Sequence, residues 1–189
     1  MSFDRRRGIF LVTGAQAAGK STVGRLLAER FDRGAFVEGD LMWKLVVSGR
    51  DDMTPNPSDE AVRQLILRYR HGAMLADSLF ENGFAAVHSD IVMGHGLPRY
   101  AELVRNRPLY VVMLYPSVEA VAERERGRGS TAYREWIAEG KTLEDAVTAF
   151  YSDIDATQRM GLWVDSTDQT PDETVDEIMA RVWDEGSVS

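Results

Sequence analysis

The sequence predicts an α/β fold in three layers, a five-stranded parallel sheet with helices packed on both faces. Three observations predict it. Short apolar runs alternate with longer stretches whose apolar residues recur at helical spacing, the order a parallel sheet requires because each strand must be followed by a crossover. A glycine-rich turn, formed by Gly14, Ala15, Gln16, Ala17, Ala18, Gly19, Lys20 and Ser21, joins the first strand to the first helix without interruption. With 189 residues, 44% of them hydrophobic, the chain over 1–189 is expected to be one domain with an ample core.

Taken in order, the first strand is the apolar run 9–12, and the helix after the turn spans 22–30 with Val23, Leu26 and Leu27 on one face. Residues 35–38 form the second strand, ending at Gly39 and Asp40. Residues 41–47 carry Leu41, Met42, Trp43, Leu45 and Val46 and read as a short helix, stopped by Ser48 and Gly49. Two prolines, two aspartates and an asparagine make 50–57 a loop. Ser58 caps a long helix over 59–82, with Val62, Leu65, Ile66, Tyr69 and Leu75 on its buried stripe and Gly83 as its stop. Strand three is 84–87, closing on His88, Ser89 and Asp90. Strand four, 109–114, is the most continuous apolar run in the chain and is expected near the sheet centre. Pro116 and Ser117 open a helix to about 126, and 124–140 is rich in charge and glycine. Thr142 and Asp145 form a capping pair for the next helix, 162–164 is a fifth strand, and Asp165 opens a loop to 169. Thr170, Pro171 and Glu173 supply N-cap, N1 proline and capping-box glutamate for the last helix.

The turn reads G-x-x-x-x-G-K-S, and its strand and helix flanks give that pattern a mechanism. Its glycines let successive backbone N–H groups curl round an anion, and the helix starting near Thr22 adds its positive dipole end. Lys20 can then reach the β and γ phosphates of a nucleoside triphosphate, while the Ser21 hydroxyl can ligate Mg²⁺. The fold expected is therefore the three-layer P-loop NTPase fold.

Composition limits the partners. No cysteine is present, so there is neither a disulfide framework nor a thiolate zinc site, which fits a reducing cytoplasm. The apolar run after the three N-terminal arginines is too short for a signal or membrane segment, so a soluble cytoplasmic protein with no membrane partner is expected. A net charge of -8 works against binding nucleic acid. A monomer or homodimer is expected.

In open α/β sheets functional groups collect at the carboxyl ends of strands, where Asp40, His88, Asp90 and Asp165 fall. Asp40 is the candidate base toward an acceptor hydroxyl, a role compatible with capping the helix that follows it. Asp90 is the candidate metal-shell carboxylate, although His88 and Ser89 separate it from the apolar run; either the strand runs two residues further or the acid is displaced. His88 reads as a hydrogen-bonded strand-end residue, and His95, between Gly94 and Gly96, as part of a loop able to touch substrate. Arg124 and Arg128 stand four apart, so on one helix they project to one side and could meet the charge of a transferring phosphoryl group. The alternative is a solvated helix end with Glu123 and Glu125 pairing locally. Gly127 and Gly129 would let 124–141 move as a lid that excludes water.

Together, the Gly14 to Ser21 loop, the Gly39, Asp40, Leu41 run after strand two, the Arg124 and Arg128 pair, and the Asp165, Ser166, Thr167 loop resemble small P-loop phosphotransferases. The nearest look is that of chloramphenicol phosphotransferase and its relatives, with adenylate, shikimate and gluconate kinases as cousins. The resemblance implies ATP and Mg²⁺ as cofactors, Asp40 as base, Arg124 and Arg128 as a phosphate clamp, and a nucleotide-base contact near Thr167 and Asp168. The segment 44–70, where the acceptor should bind, matches no motif of these kinases. Trp43, Met42 and Met53 would suit a hydrophobic acceptor or core packing equally, and Arg63, Arg68 and Arg70 an anionic acceptor or a solvated helix face.

The expected activity is transfer of the γ-phosphoryl group of ATP to a hydroxyl of a small molecule, an antibiotic or a metabolite. A nucleotide-binding switch is the alternative, though the G-protein motif N-K-x-D is missing from the sequence. A nucleotide-sugar or polynucleotide kinase is the other.

Overall fold

A computed structural model describes residues 6–129, 133, 136–137, 139–156 and 158–188. Five parallel strands, β1 (Ile9–Gly14), β2 (Gly34–Glu38), β3 (Ala85–Ser89), β4 (Leu109–Leu114) and β5 (Leu162–Val164), lie in the order β2-β3-β1-β4-β5. A two-residue β6 (Ser187–Val188), with no counterpart in the sequence reading, pairs antiparallel with the start of β4. Around the sheet run α1 (Lys20–Glu29), α2 (Gly39–Lys44), α3 (Asp59–Glu81), α4 (Gly96–Leu103), α5 (Val118–Arg128), α6 (Leu143–Asp155) and α7 (Pro171–Glu185).

The period of two along β1 divides the core between the sheet's faces. Phe10 and Val12 pack with Val23 and Leu27 of α1 and Ile178 and Val182 of α7. Ile9 and Leu11 pack with Tyr69 and Ala73 of α3 and Tyr100 of α4 on the other side. A third cluster, built on Val121, Val147 and Tyr151, joins α5 to α6 beside the carboxyl end of β4. β4 is fully buried as its apolar run requires, but β1 holds the centre of the strand order.

Caps and stops mostly act where the sequence puts them. The hydroxyls of Ser58 and Ser117 accept the N–H groups of Ala61 and Ala120, and both capping boxes, Thr142 with Asp145 and Thr170 with Glu173, are closed. Three readings are corrected. The short helix expected over 41–47 is present but shifted: α2 starts at Gly39 and stops at Lys44, and Leu41, Leu45 and Val47 are exposed. The buried stripe of α3 keeps Tyr69, with Leu65 packed against the same core, but otherwise consists of Ala61, Gln64, Gly72, Ala73, Ala76 and Asp77, while Val62 and Leu75 are exposed. Glu125 is not paired locally on a solvated face; it is buried, with no hydrogen-bond partner on either oxygen among the described residues. In addition, Gly96 begins α4, so His95 sits at a helix start rather than in an open loop.

Candidate active site

The parallel order brings the carboxyl ends of β1, β2 and β3 side by side, with β1 at the point where the strand order reverses, and everything placed there shares one crevice. The turn between β1 and α1 needs left-handed backbone at Gly14 (φ 145°), Ala17 (φ 63°) and Gly19 (φ 99°). At Gly14 a side chain is also excluded by space, since a Cβ would stand 2.5 Å from the Leu114 carbonyl oxygen. Ala17 adopts this conformation without being glycine, a cost of roughly 1–2 kcal/mol that the buried loop around it must sustain. Lys20 folds back to donate to the carbonyl of Ala15 at 2.7 Å. Burial pulls its ammonium down to about 8, against the opposing pull of Asp90 and Asp40.

β3 continues through His88 and Ser89, whose Cα partners are Leu11 and Val12, and the Asp90 N–H still bonds the Val12 carbonyl at 3.2 Å. The strand is thus two residues longer than its apolar run, and Asp90 follows directly at its end. A polar pair can occupy a buried strand end here because Tyr100 meets His88 at 2.8 Å on Nδ1, stacked ring on ring. Burial holds the His88 imidazole down at about 4.

Asp90 is bound by Arg68, which donates from Nε to Oδ2 at 2.8 Å and from Nη2 to Oδ1. The same Nη2 donates to Asp40 Oδ1 at 3.2 Å. Arg68 is therefore drawn inward, not placed on a solvated helix face, while Arg63 pairs with Glu60 at the surface and Arg70 is exposed. Asp40 is not the N-cap of its helix: Glu38 holds that position, and Asp40 stands in the first turn with its carboxylate two-thirds exposed.

Two cavities meet at these residues. The first, about 500 Å³, is lined by the turn from Gln16 to Thr22 and by Asp40, Arg68, Asp90, Arg124 and Arg128. The second, about 970 Å³, shares Gln16, Asp40, Arg68 and Ile91 with it and is walled by Trp43, Met53, Tyr69, Met93, Tyr133, Trp136 and Phe150. Trp43 is held by its indole N–H on Asp52 at 2.8 Å, and His95 lies on the rim.

Arg124 and Arg128 both reach the first cavity from α5. Arg124 donates to the carbonyls of Ser166 at 2.6 Å and Thr167 at 3.3 Å, tying α5 to the loop before α7. Arg126, out of phase, pairs with Glu144. The cavity wall near that loop is formed by Ser166 and Gln169; Thr167 and Asp168 do not line it. Asp165 explains the difference, because its Oδ1 accepts both the N–H and the hydroxyl of Thr167 and turns that side chain back into the loop, leaving Asp168 exposed. Of the expected lid, 130–132, 134, 135 and 138 lie outside the described residues; Tyr133 donates its hydroxyl to the Gln16 carbonyl at 3.0 Å.

Among the described residues no three carboxylates or imidazoles gather as a metal cage. The Ser21 hydroxyl and the Asp90 carboxylate on one cavity nevertheless fit Mg²⁺, which takes one or two protein oxygens and completes its shell with waters and phosphates. Tyr133, unassigned from the sequence, is a cavity residue it missed, and Arg68, read there as binding an anionic acceptor or lying on a solvated face, is instead drawn onto Asp90 and Asp40.

Sheet order and phosphate cradle define the class: the chain has the fold of small P-loop kinases. It is similar to a gluconokinase from Sinorhizobium meliloti 1021 (20% identity, 93% of this chain and 92% of that one, TM-score 0.62). It is likewise similar to shikimate kinase from Acinetobacter baumannii in complex with shikimate (16%, 95% and 94%, TM-score 0.63) and to an APS kinase from Mycobacterium tuberculosis in complex with AMPPNP and APS (16%, 94% and 98%, TM-score 0.62). No protein-family model and no curated protein matches the chain. Among the described residues no helix is long and apolar enough to cross a membrane.

Proposed function

We propose that the chain is an ATP- and Mg²⁺-dependent O-phosphotransferase that moves the γ-phosphoryl group to a hydroxyl of a small molecule. One observation carries this reading: Asp40 stands where the cavity over the glycine-rich turn and a second, larger, aromatic-walled cavity meet. A nucleotide switch has no use for the second cavity. The neighbours in fold, kinases of gluconate, shikimate and APS by name, support phosphoryl transfer to a small acceptor.

In this reading the amides from Gly14 to Ser21 hold the phosphates, and Thr22 lies at the same helix start. The approach of phosphate charge further favours the Lys20 ammonium, opposing the downward pull of burial. Ser21 and Asp90 would hold Mg²⁺, which supplies neutralisation of the phosphate charge when bound. Asp40 accepts the hydroxyl proton, and Arg128 meets charge developing on the transferring group. Arg124, with Ser166 and Gln169, borders the base end. The region 124–141 serves as the lid, and one domain does the work.

The acceptor is apolar or aromatic, an antibiotic or metabolite without an acidic group. Among the described residues lining the larger cavity, Arg68 is the only guanidinium or ammonium, and two carboxylates already hold it. An acid such as shikimate would meet Asp40 and Asp52 with no further cation among the described lining residues. The test is ADP release from ATP against a panel of neutral aromatic alcohols and their carboxylic acid counterparts, with Lys20→Ala as the blank. Stimulation by neutral alcohols supports the reading; stimulation by acids alone overturns the acceptor class, and failure of the protein to bind Mg²⁺-ATP at millimolar concentration overturns the activity.

A further inference from the structure

Arg68 bridges two carboxylates that the reaction proposed above needs for different tasks. Its guanidinium makes two contacts to Asp90 and one, at 3.2 Å, to Asp40. Asp90 has no exposed side-chain surface, so a bound cation is obligatory for it: an ionised carboxylate buried without a partner is costly. Arg68 meets that need from the acceptor side, since the same side chain lines both cavities and its guanidinium lies 5.8 Å from the Trp43 ring. A planar fork covering both Asp90 oxygens takes a lone pair on each of them and competes there with a metal or its water. The Ile91 N–H, on Oδ1 at 2.7 Å, occupies a further lone pair.

We propose that Arg68 is a positioning residue that stands in for the divalent cation at Asp90 and is handed to Asp40 when a Mg²⁺-bound nucleotide arrives. The inference rests on the phosphotransferase reading. Release from Asp90 leaves Nη2 on the Asp40 oxygen it already touches, and one flexible stem carries the guanidinium between the two. In its new place Arg68 fixes the orientation of the Asp40 carboxylate at the cavity junction. The acceptor site is thereby completed by the nucleotide, and the nucleotide binds first.

Calorimetric titration of Mg²⁺ into the protein saturated with AMPPNP tests this without turnover. If Arg68 competes with the cation, Arg68→Gln tightens Mg²⁺ binding at least tenfold, and Arg68→Lys, which cannot cover both oxygens, gives a smaller gain. Arg63→Gln, which removes an equal charge from the exposed face of the same helix, leaves it unchanged. Unchanged or weaker Mg²⁺ binding in Arg68→Gln overturns the proposal, because an arginine that merely supports the fold loosens the cation site when removed. Should Arg68→Gln not fold, the wild type decides: Mg²⁺ added to the AMPPNP complex must change the part of the tryptophan emission that Trp43→Phe removes, and no change overturns the proposal. A wild type that binds no nucleotide at all removes the phosphotransferase reading itself, a result distinct from nucleotide binding with unaltered Mg²⁺ dependence.

Discussion

Asp40→Asn separates a base from a helix residue. The substitution keeps size and shape and removes one charge. Two contributions to stability go with that charge. The contact with Arg68 Nη2 is made by a carboxylate with 66% of its side-chain surface exposed, and pairs so exposed contribute about 0–1 kcal/mol. The position in the first turn of α2 adds roughly 0.3–1 kcal/mol from the helix dipole. No cap is lost, since Glu38 is the N-cap residue. The total is about 1 kcal/mol, which for a chain of this size moves the melting temperature by about 2–4 °C. Nucleotide affinity should hold, because Asp40 is not among the groups proposed to hold the phosphates or Mg²⁺, which are the turn from Gln16 to Thr22 and Asp90. Transfer to the acceptor, in contrast, should fall by about 10²–10⁴, the usual contribution of a general base. Thermal melting, ATP titration and phosphate transfer measured on one preparation check all three. A loss in transfer of less than about tenfold refutes the assignment of the base. Loss of ATP binding would move Asp40 into the metal shell and return Asp90 to consideration at the acceptor.

The two arginines of α5 should part company under substitution. Arg124→Ala removes the donors to the carbonyls of Ser166 and Thr167, so nucleotide affinity and thermal stability should fall together; unchanged affinity would detach that loop from the nucleotide site. Arg128→Ala should lower kcat on the order of 10²-fold with little change in ATP affinity, and an equal loss of both would assign it to ground-state binding. Buried His88 should make the fold acid-sensitive. Its imidazole is neutral in the folded chain down to about 4, while an unfolded histidine takes up a proton at 6.5, so stability is full above 6.5 and is lost as pH falls from there toward 4. The gap amounts to on the order of 3 kcal/mol at most. Urea unfolding at a series of pH values should show a shallower acid slope in His88→Gln than in the wild type, and parallel slopes would contradict the buried neutral imidazole.

Local chemistry made much of this protein readable in order. The apolar run of β4, the glycines flanking the phosphate cradle, and the capping boxes at Thr142 and Thr170 each act within a few residues, so their signals survive in the linear chain. The strand ends were harder. His88 and Ser89 look polar, and only pairing with Leu11 and Val12 under the cover of Tyr100 makes them strand and sets Asp90 at its tip. The periodicity of α3 marked its largest apolar residues as inner, whereas the close approach of helix to sheet buries alanine and glycine; at Gly72 a Cβ would stand 2.2 Å from His88 Cε1. That choice of face also turns Arg68 inward. Its partners lie 22 and 28 residues away in sequence, on two other strand ends, and no local pattern encodes a contact made by three elements converging. The sequence by itself determined the strand, glycine-rich turn and helix of the first cavity, because their signals act within a few residues of one another. The tertiary structure alone decided that Asp40, Arg68 and Asp90 share the crevice beside it, because ion pairs across a sheet edge depend on the packing that brings their elements together.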